Sequence, residues 1–96
     1  MPKEKRVWPE WWQWELKISA HMQKRFQQRN FTEMDLRRMM EHATGFRKDY
    51  IESRFTIDTR FRRKPWEVIV EPLSDEKRLE VITAYERWDD GGQKTR

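Results

Sequence analysis

The sequence predicts an α+β domain, with two N-terminal helices packed on one face of a mostly antiparallel sheet of four to five strands, in the order β-α-α-β-β-β. Three observations lead there. Two short segments in the first half carry helix-spaced apolar residues behind good N-caps. Segments in the second half alternate apolar and polar residues, as half-buried strands do. Short polar connections join those strands, which is how antiparallel neighbours are linked.

Residues 1–10 read as a flexible basic arm, residues 11–88 as the single domain, and residues 89–96 as a disordered tail. From Trp12 the pattern alternates, with Trp12, Trp14, Leu16 and Ile18 on one side of a strand. Ser19 is a good N-cap for a helix over about 20–29. Met22 and Phe26 anchor its buried side, and Asn30 suits the left-handed stop. Thr32 caps the second helix, with Asp35 at the third position and Phe31 able to staple onto Leu36. Leu36, Met39, Met40 and Ala43 form its apolar stripe, and Gly45 is expected to end it.

Tyr50 and Ile51 suggest a short extra strand. Residues 53–61 alternate Phe55, Ile57, Thr59 and Phe61 against Arg54, Thr56, Asp58 and Arg60. Arg62 to Pro65 reads as a hairpin connection, Trp66, Val68 and Val70 as the next strand. Leu79, Val81, Thr83 and Tyr85 share a parity in the last strand, so all four are expected on the helix-covered face.

Composition narrows the function. The chain of 96 residues carries 21 Lys and Arg against 17 Asp and Glu, with 35% hydrophobic residues, six Trp and no Cys. The aromatic content argues for a folded domain despite 40% charged residues. Absence of Cys excludes disulfide frameworks, thiolate metal sites and cysteine nucleophiles, and fits a cytoplasmic location. No apolar run approaches the length of a membrane span, and Trp8 to Glu15 stands where a signal peptide would need an apolar stretch. The net charge of +4 conceals a split: residues 1–64 carry +7 and residues 65–96 carry −3. The basic part is a candidate footprint for nucleic acid, or a solvated surface.

Three constellations carry candidate chemistry. His21, Arg25 and Arg29 recur every four residues, and each such step on a helix turns about 400°, so they form one ridge with about 40° of drift per step. His21 falls in the first helical turn with Arg25 one turn on, a placement that favours its neutral, proton-accepting form. In-line arginines suit phosphate oxygens. Arg54 and Arg60 form a second basic face, on the side of their strand away from Phe55 and Ile57. Thr83 and Tyr85 close the last strand as polar groups at the end of a core face. No set of ligands for a metal is legible, since the two histidines, His21 and His42, fall on different helices. No cofactor motif occurs.

Taken together, Ser19-Ala-His21-x3-Arg25-x3-Arg29, Thr32-x-x-Asp35-Leu36, Trp66 to Pro72 and Val81 to Tyr85 look like a small bacterial family of uncharacterised domains. That family resembles the barnase–EndoU–colicin–RelE superfamily of metal-independent ribonucleases and toxins, and the resemblance spans about residues 12–86. Two departures are Met22, where relatives often have Ala, and Asn30, where they often have Gly. The resemblance implies a barnase/RelE-like sheet and RNA cleavage by attack of a 2′-hydroxyl, without metal. His21, Arg25, Thr83 and Tyr85 would be catalytic, with Arg25 and Arg29 on the phosphate, and the basic face of Arg54 and Arg60 is added as a further phosphate contact. RNA, free or on the ribosome, and an antitoxin protein would be the partners. The rival expectation is a non-catalytic nucleic-acid or protein-binding module, and the Trp-rich N-terminal strand offers a homodimer contact.

Overall fold

The computed structural model describes residues 8–87. Within them the chain forms β1 (Glu15–Ile18), α1 (Ala20–Arg29), α2 (Glu33–Glu41), β2 (Gly45–Lys48), β3 (Phe55–Phe61), β4 (Lys64–Leu73) and β5 (Arg78–Glu86). One five-stranded sheet has the order β1-β5-β4-β3-β2. The β2–β3, β3–β4 and β4–β5 pairs are antiparallel. The β1–β5 pair is parallel, because the two helices and three strands between them return the chain alongside its start. The tail expected over residues 89–96, and residues 1–7 of the expected arm, lie outside the described residues.

Both helices start where side-chain caps satisfy their first amides. Ser19 Oγ accepts from the Met22 N–H at 3.0 Å and donates to the Ile82 carbonyl at 2.9 Å. One hydroxyl thus caps α1 and ties it to β5. Asn30 ends α1 at φ 62°, in the left-handed region. A full capping box starts α2: Thr32 Oγ1 accepts from the Asp35 N–H, and the Asp35 carboxylate accepts from the Thr32 N–H at 2.9 Å. A cap of this kind contributes about 1 kcal/mol.

Three local expectations need correction. Trp12 is not in a strand: Glu10–Gln13 is a 3-10 turn, and β1 begins only at Glu15. Aromatic packing decides this, since the turn sets Trp12 on Trp8 (ring centroids 4.4 Å) and Trp11 on Phe55 (4.8 Å). Gly45 does not end α2. His42 does, and Gly45 opens β2, where the Thr44 N–H has already joined the Asp58 carbonyl at 2.8 Å. Tyr50 and Ile51 are not a strand but part of the β2–β3 connection, with Tyr50 93% exposed. The extra strand is β2 itself, whose pairing to β3 brings Phe46 into the aromatic group.

The core lies between the helices and one face of the sheet. Met22, Leu36 and Met39 from the helices meet Ile57, Val68, Val70, Leu79 and Val81 from the strands, all fully buried. Thr59 belongs to this face too, its hydroxyl donating to the Met39 carbonyl near the end of α2. Residues of the opposite parity, including Asp58 and Glu67, face away from the helices.

One irregularity changes which side chains share a face. Val70 pairs with Val81, but Ile69 pairs with Thr83, leaving Ile82 unmatched. An unmatched residue reverses the parity of everything beyond it. Ala84 therefore joins the core opposite Val68, while Thr83 and Tyr85 turn to the uncovered face. The expectation that Thr83 and Tyr85 share the face of Leu79 and Val81 is overturned by this single extra residue.

Candidate functional site

α1 lies beside β5 because Ser19 anchors its first turn there. The Ser19 N–H donates to the Val81 carbonyl at 3.3 Å, alongside the Ile82 contact of its side chain. β1 pairs only with residues 78–81, so the rest of β5 has no strand on that side. The polar ridge of α1 follows this stretch. Arg25 Nε donates to Thr83 Oγ1 at 3.4 Å, and Arg29 borders a cleft with Glu86. His21 stands one turn before Arg25, exposed, and its imidazole has no hydrogen-bond or ion-pair partner among the described residues.

Thr83 and Tyr85 lie two residues apart on the same side of β5, so their positions along the strand differ by about 7 Å. Tyr85 does not point into an open pocket. Its hydroxyl donates to Glu67 Oε1 at 2.8 Å, directly across from it on β4. The other oxygen of Glu67 accepts from Arg47 Nη2 at 2.7 Å and lies 3.6 Å from Arg87 Nε. Arg47 Nη1 also grips both oxygens of Asp58, at 2.7 and 2.6 Å. Four charged side chains and one phenol thus make a connected array across β2, β3, β4 and the end of β5.

Electrostatics follow from that array. Burial, then the Glu67 hydrogen bond and its negative charge, push the Tyr85 phenol up to about 12. The phenol therefore keeps its proton at neutral pH. The Asp58 hydrogen bond chiefly, with Glu67 behind it, moves Arg47 further above the ordinary guanidinium range. Two guanidinium groups against two carboxylates leave this face close to neutral.

Arg54 and Arg60 are engaged elsewhere. Arg54 Nε pairs with Glu71 at 3.2 Å, and Arg60 Nη2 donates to the Arg63 carbonyl at 2.9 Å, bracing the β3–β4 turn. The structure therefore brings Arg25 and Thr83 into contact, keeps His21 on the same ridge, and carries Arg29 one turn on. It leaves Tyr85 in the Glu67 array, and gives Arg54 and Arg60 partners of their own. Sequence reasoning missed Glu67, Asp58 and Arg47. Their polar parity within strands was a usable signal, but only the pairing register sets them side by side. Among the described residues no cluster of three or more His, Asp or Glu side chains can hold a metal ion. No helix among them is long and apolar enough to cross a membrane.

A family model described as a domain of unknown function, DUF4258, matches residues 18–86, from the end of β1 to the end of β5. No curated protein and no solved structure matches the chain.

Proposed function

The chain belongs to the DUF4258 family, and on that premise we propose that it is a ribonuclease-type RNA-binding domain of the barnase–EndoU–colicin–RelE kind, acting along α1 and the edge of β5 that β1 leaves free. The observation that carries this reading is the Arg25–Thr83 hydrogen bond. It brings one residue from each of the two separate sequence constellations into contact.

In the proposed reaction an RNA 2′-hydroxyl attacks the adjacent phosphorus, and the bond to the 5′-oxygen breaks. His21 takes the 2′-hydroxyl proton as general base. Arg25 donates to a phosphoryl oxygen as charge builds on it, and the Thr83 hydroxyl, which accepts from Arg25, directs its own proton to the same group. Products are a 2′,3′-cyclic phosphate and a 5′-hydroxyl. The Tyr85 proton is committed to Glu67, so the leaving oxygen takes its proton from water, and Tyr85 is a positioning residue beside Thr83. The scheme needs no metal, and a cysteine-free chain acting on RNA fits the cytoplasm.

Labelled RNA in EDTA tests this directly. Cleavage is expected, with His21→Ala slower by about 10²–10⁴-fold and RNA binding retained. Unchanged cleavage by the variant sinks the catalytic assignment. A second reading, RNA binding without turnover, is favoured by one observation: nothing among the described residues orients the His21 imidazole, and a general base usually has such a partner. Binding lost in Arg25→Ala, with no cleavage by the parent protein, would select it. Absence of both binding and cleavage rejects the two together.

A further inference from the structure

The β3–β4 hairpin and the end of α1 enclose the cleft that Arg29 borders with Glu86, of about 210 Å³, lined also by Phe61, Arg62, Lys64 and Trp66. Its floor is aromatic: Trp66 is buried, and Phe61 meets it edge-on with ring centroids 5.6 Å apart. Its rim is basic, with three cations against one carboxylate. Arg62 places its guanidinium over the Phe61 ring, 4.6 Å from the centroid. Lys64 Nζ lies 3.4 Å from Glu86 Oε2.

The hairpin accepts backbone strain to make this rim. Arg62 and Arg63 form a two-residue turn with φ 53° and 69°, and neither is glycine. Two-residue hairpins of this kind favour Asn-Gly, because positive φ crowds a Cβ. Arginine in both places is the opposite of a stability choice, and strain of this sort gathers at functional positions.

Position supplies the ligand class. Arg29 follows Arg25 by one helical turn, about 6 Å along α1, and Glu86 lies three residues beyond Thr83 on β5. The cleft therefore continues the proposed site by roughly one nucleotide, passing from the uncovered face to the helix-covered face around the unpaired side of β5. We propose that it is a flanking-nucleotide subsite for single-stranded RNA: Arg29 and Lys64 take the neighbouring phosphate, and the base stacks on the Arg62 guanidinium backed by Phe61. Aromatic and guanidinium planes serve any base, so the subsite adds affinity without sequence preference. Glu86 competes with the phosphate for Lys64 and holds the lysine in place while the cleft is empty.

This inference rests on the RNA reading above, and one experiment separates their failures. The full chain is titrated with a single-stranded RNA trinucleotide carrying a non-cleavable 2′-deoxy sugar at the scissile position, followed by amide and indole NMR shifts. Shifts at Arg62, Lys64 and the Trp66 indole together with His21, Arg25 and Thr83 are expected. Shifts confined to His21, Arg25 and Thr83 overturn the subsite and keep the proposed function. Shifts confined to the cleft overturn the proposed site and keep the cleft as a nucleotide site. None at either overturns both. Variants give a second readout with a fluorescent single-stranded RNA. Arg62→Ala/Lys64→Ala removes the stacking guanidinium and one phosphate-facing cation. It should weaken binding about tenfold and lower the salt slope by about 0.7 for the phosphate that Lys64 neutralises. Glu86→Gln, which frees Lys64, should tighten binding about threefold. Unchanged affinity in the double variant sinks the subsite.

Discussion

The two faces of the one sheet are built from the same strands and held by different physics. On the helix-covered face, Ile57, Val68, Val70, Leu79 and Val81 are fully buried against Met22, Leu36 and Met39. Here non-directional burial does the stabilising. On the uncovered face, Arg47, Asp58, Glu67, Tyr85 and Arg87 hold one another by charge and hydrogen bonds, in partial contact with water. The difference teaches where the chain's excess of base can act. On the open sheet face Arg47 and Arg87 are held by Asp58 and Glu67, and Arg54 by Glu71, while Arg60 donates to the Arg63 carbonyl. Arg25 and Arg29 on the α1 ridge and Arg62 at the hairpin have no carboxylate partner among the described residues, and they lie in the places proposed for RNA.

The comparison can be broken most severely at the covered face. Leu36→Ala removes a fully buried side chain and should cost about 2–5 kcal/mol, read as a shift in urea midpoint at unchanged slope. A loss under about 1 kcal/mol would mean the core is far looser than its burial indicates.

A smaller effect is expected on the open face. Glu67→Gln leaves a polar side chain but withdraws the charge shared by Arg47, Arg87 and Tyr85. About 1–3 kcal/mol should be lost, as for other part-buried charged hydrogen bonds. The same variant should bring the Tyr85 phenol down from about 12 towards the ordinary tyrosine value, followed by ultraviolet difference absorbance. The sign of the pH effect follows from a folded value above the unfolded one. Tyr85 contributes stability that is complete below about pH 10 and disappears as pH rises towards 12. The variant should therefore lose less stability than the parent protein as pH rises from about 10 towards 12, and an identical phenol titration in both proteins would refute the role given to Glu67.

Least should happen at a pair that belongs to neither face. Arg37 and Glu33 are one turn apart on α2, 2.8 Å between charges, and both are about half exposed. Arg37→Ala should cost no more than about 0.5 kcal/mol and less in high salt. A larger, salt-insensitive loss in thermal unfolding would show that exposed pairs here carry weight the comparison denies them.

Much of the covered face was legible beforehand. Ser19, Asn30, Thr32 and Asp35 mark helix ends by chemistry confined to a few neighbouring residues, and each performs its expected cap. Ile57, Val68 and Val70 follow strand parity into the core. The candidate site was legible only on its helical half. The ridge of His21, Arg25 and Arg29 depends on helical period alone. Strand parity continued through Ile82 puts Thr83 and Tyr85 on the wrong face, because it takes no account of the unmatched position there. Trp12 and Gly45 failed for a related reason: an alternating aromatic pattern and a glycine each fit more than one local structure, and distant partners chose between them.

What this sequence determined by itself is therefore the set of elements whose causes are local: two capped helices, alternating strands, a basic ridge at helical spacing, and an α+β class in which they combine. Only the tertiary structure decided the parallel return of β1 beside β5, the extra residue at Ile82, and the side of the sheet on which Thr83 meets Arg25. The reason is physical. Caps and periodicity are satisfied within a turn or two of chain, whereas register is a contest among pairings far apart in sequence, settled by which of them buries the core and leaves every backbone group bonded.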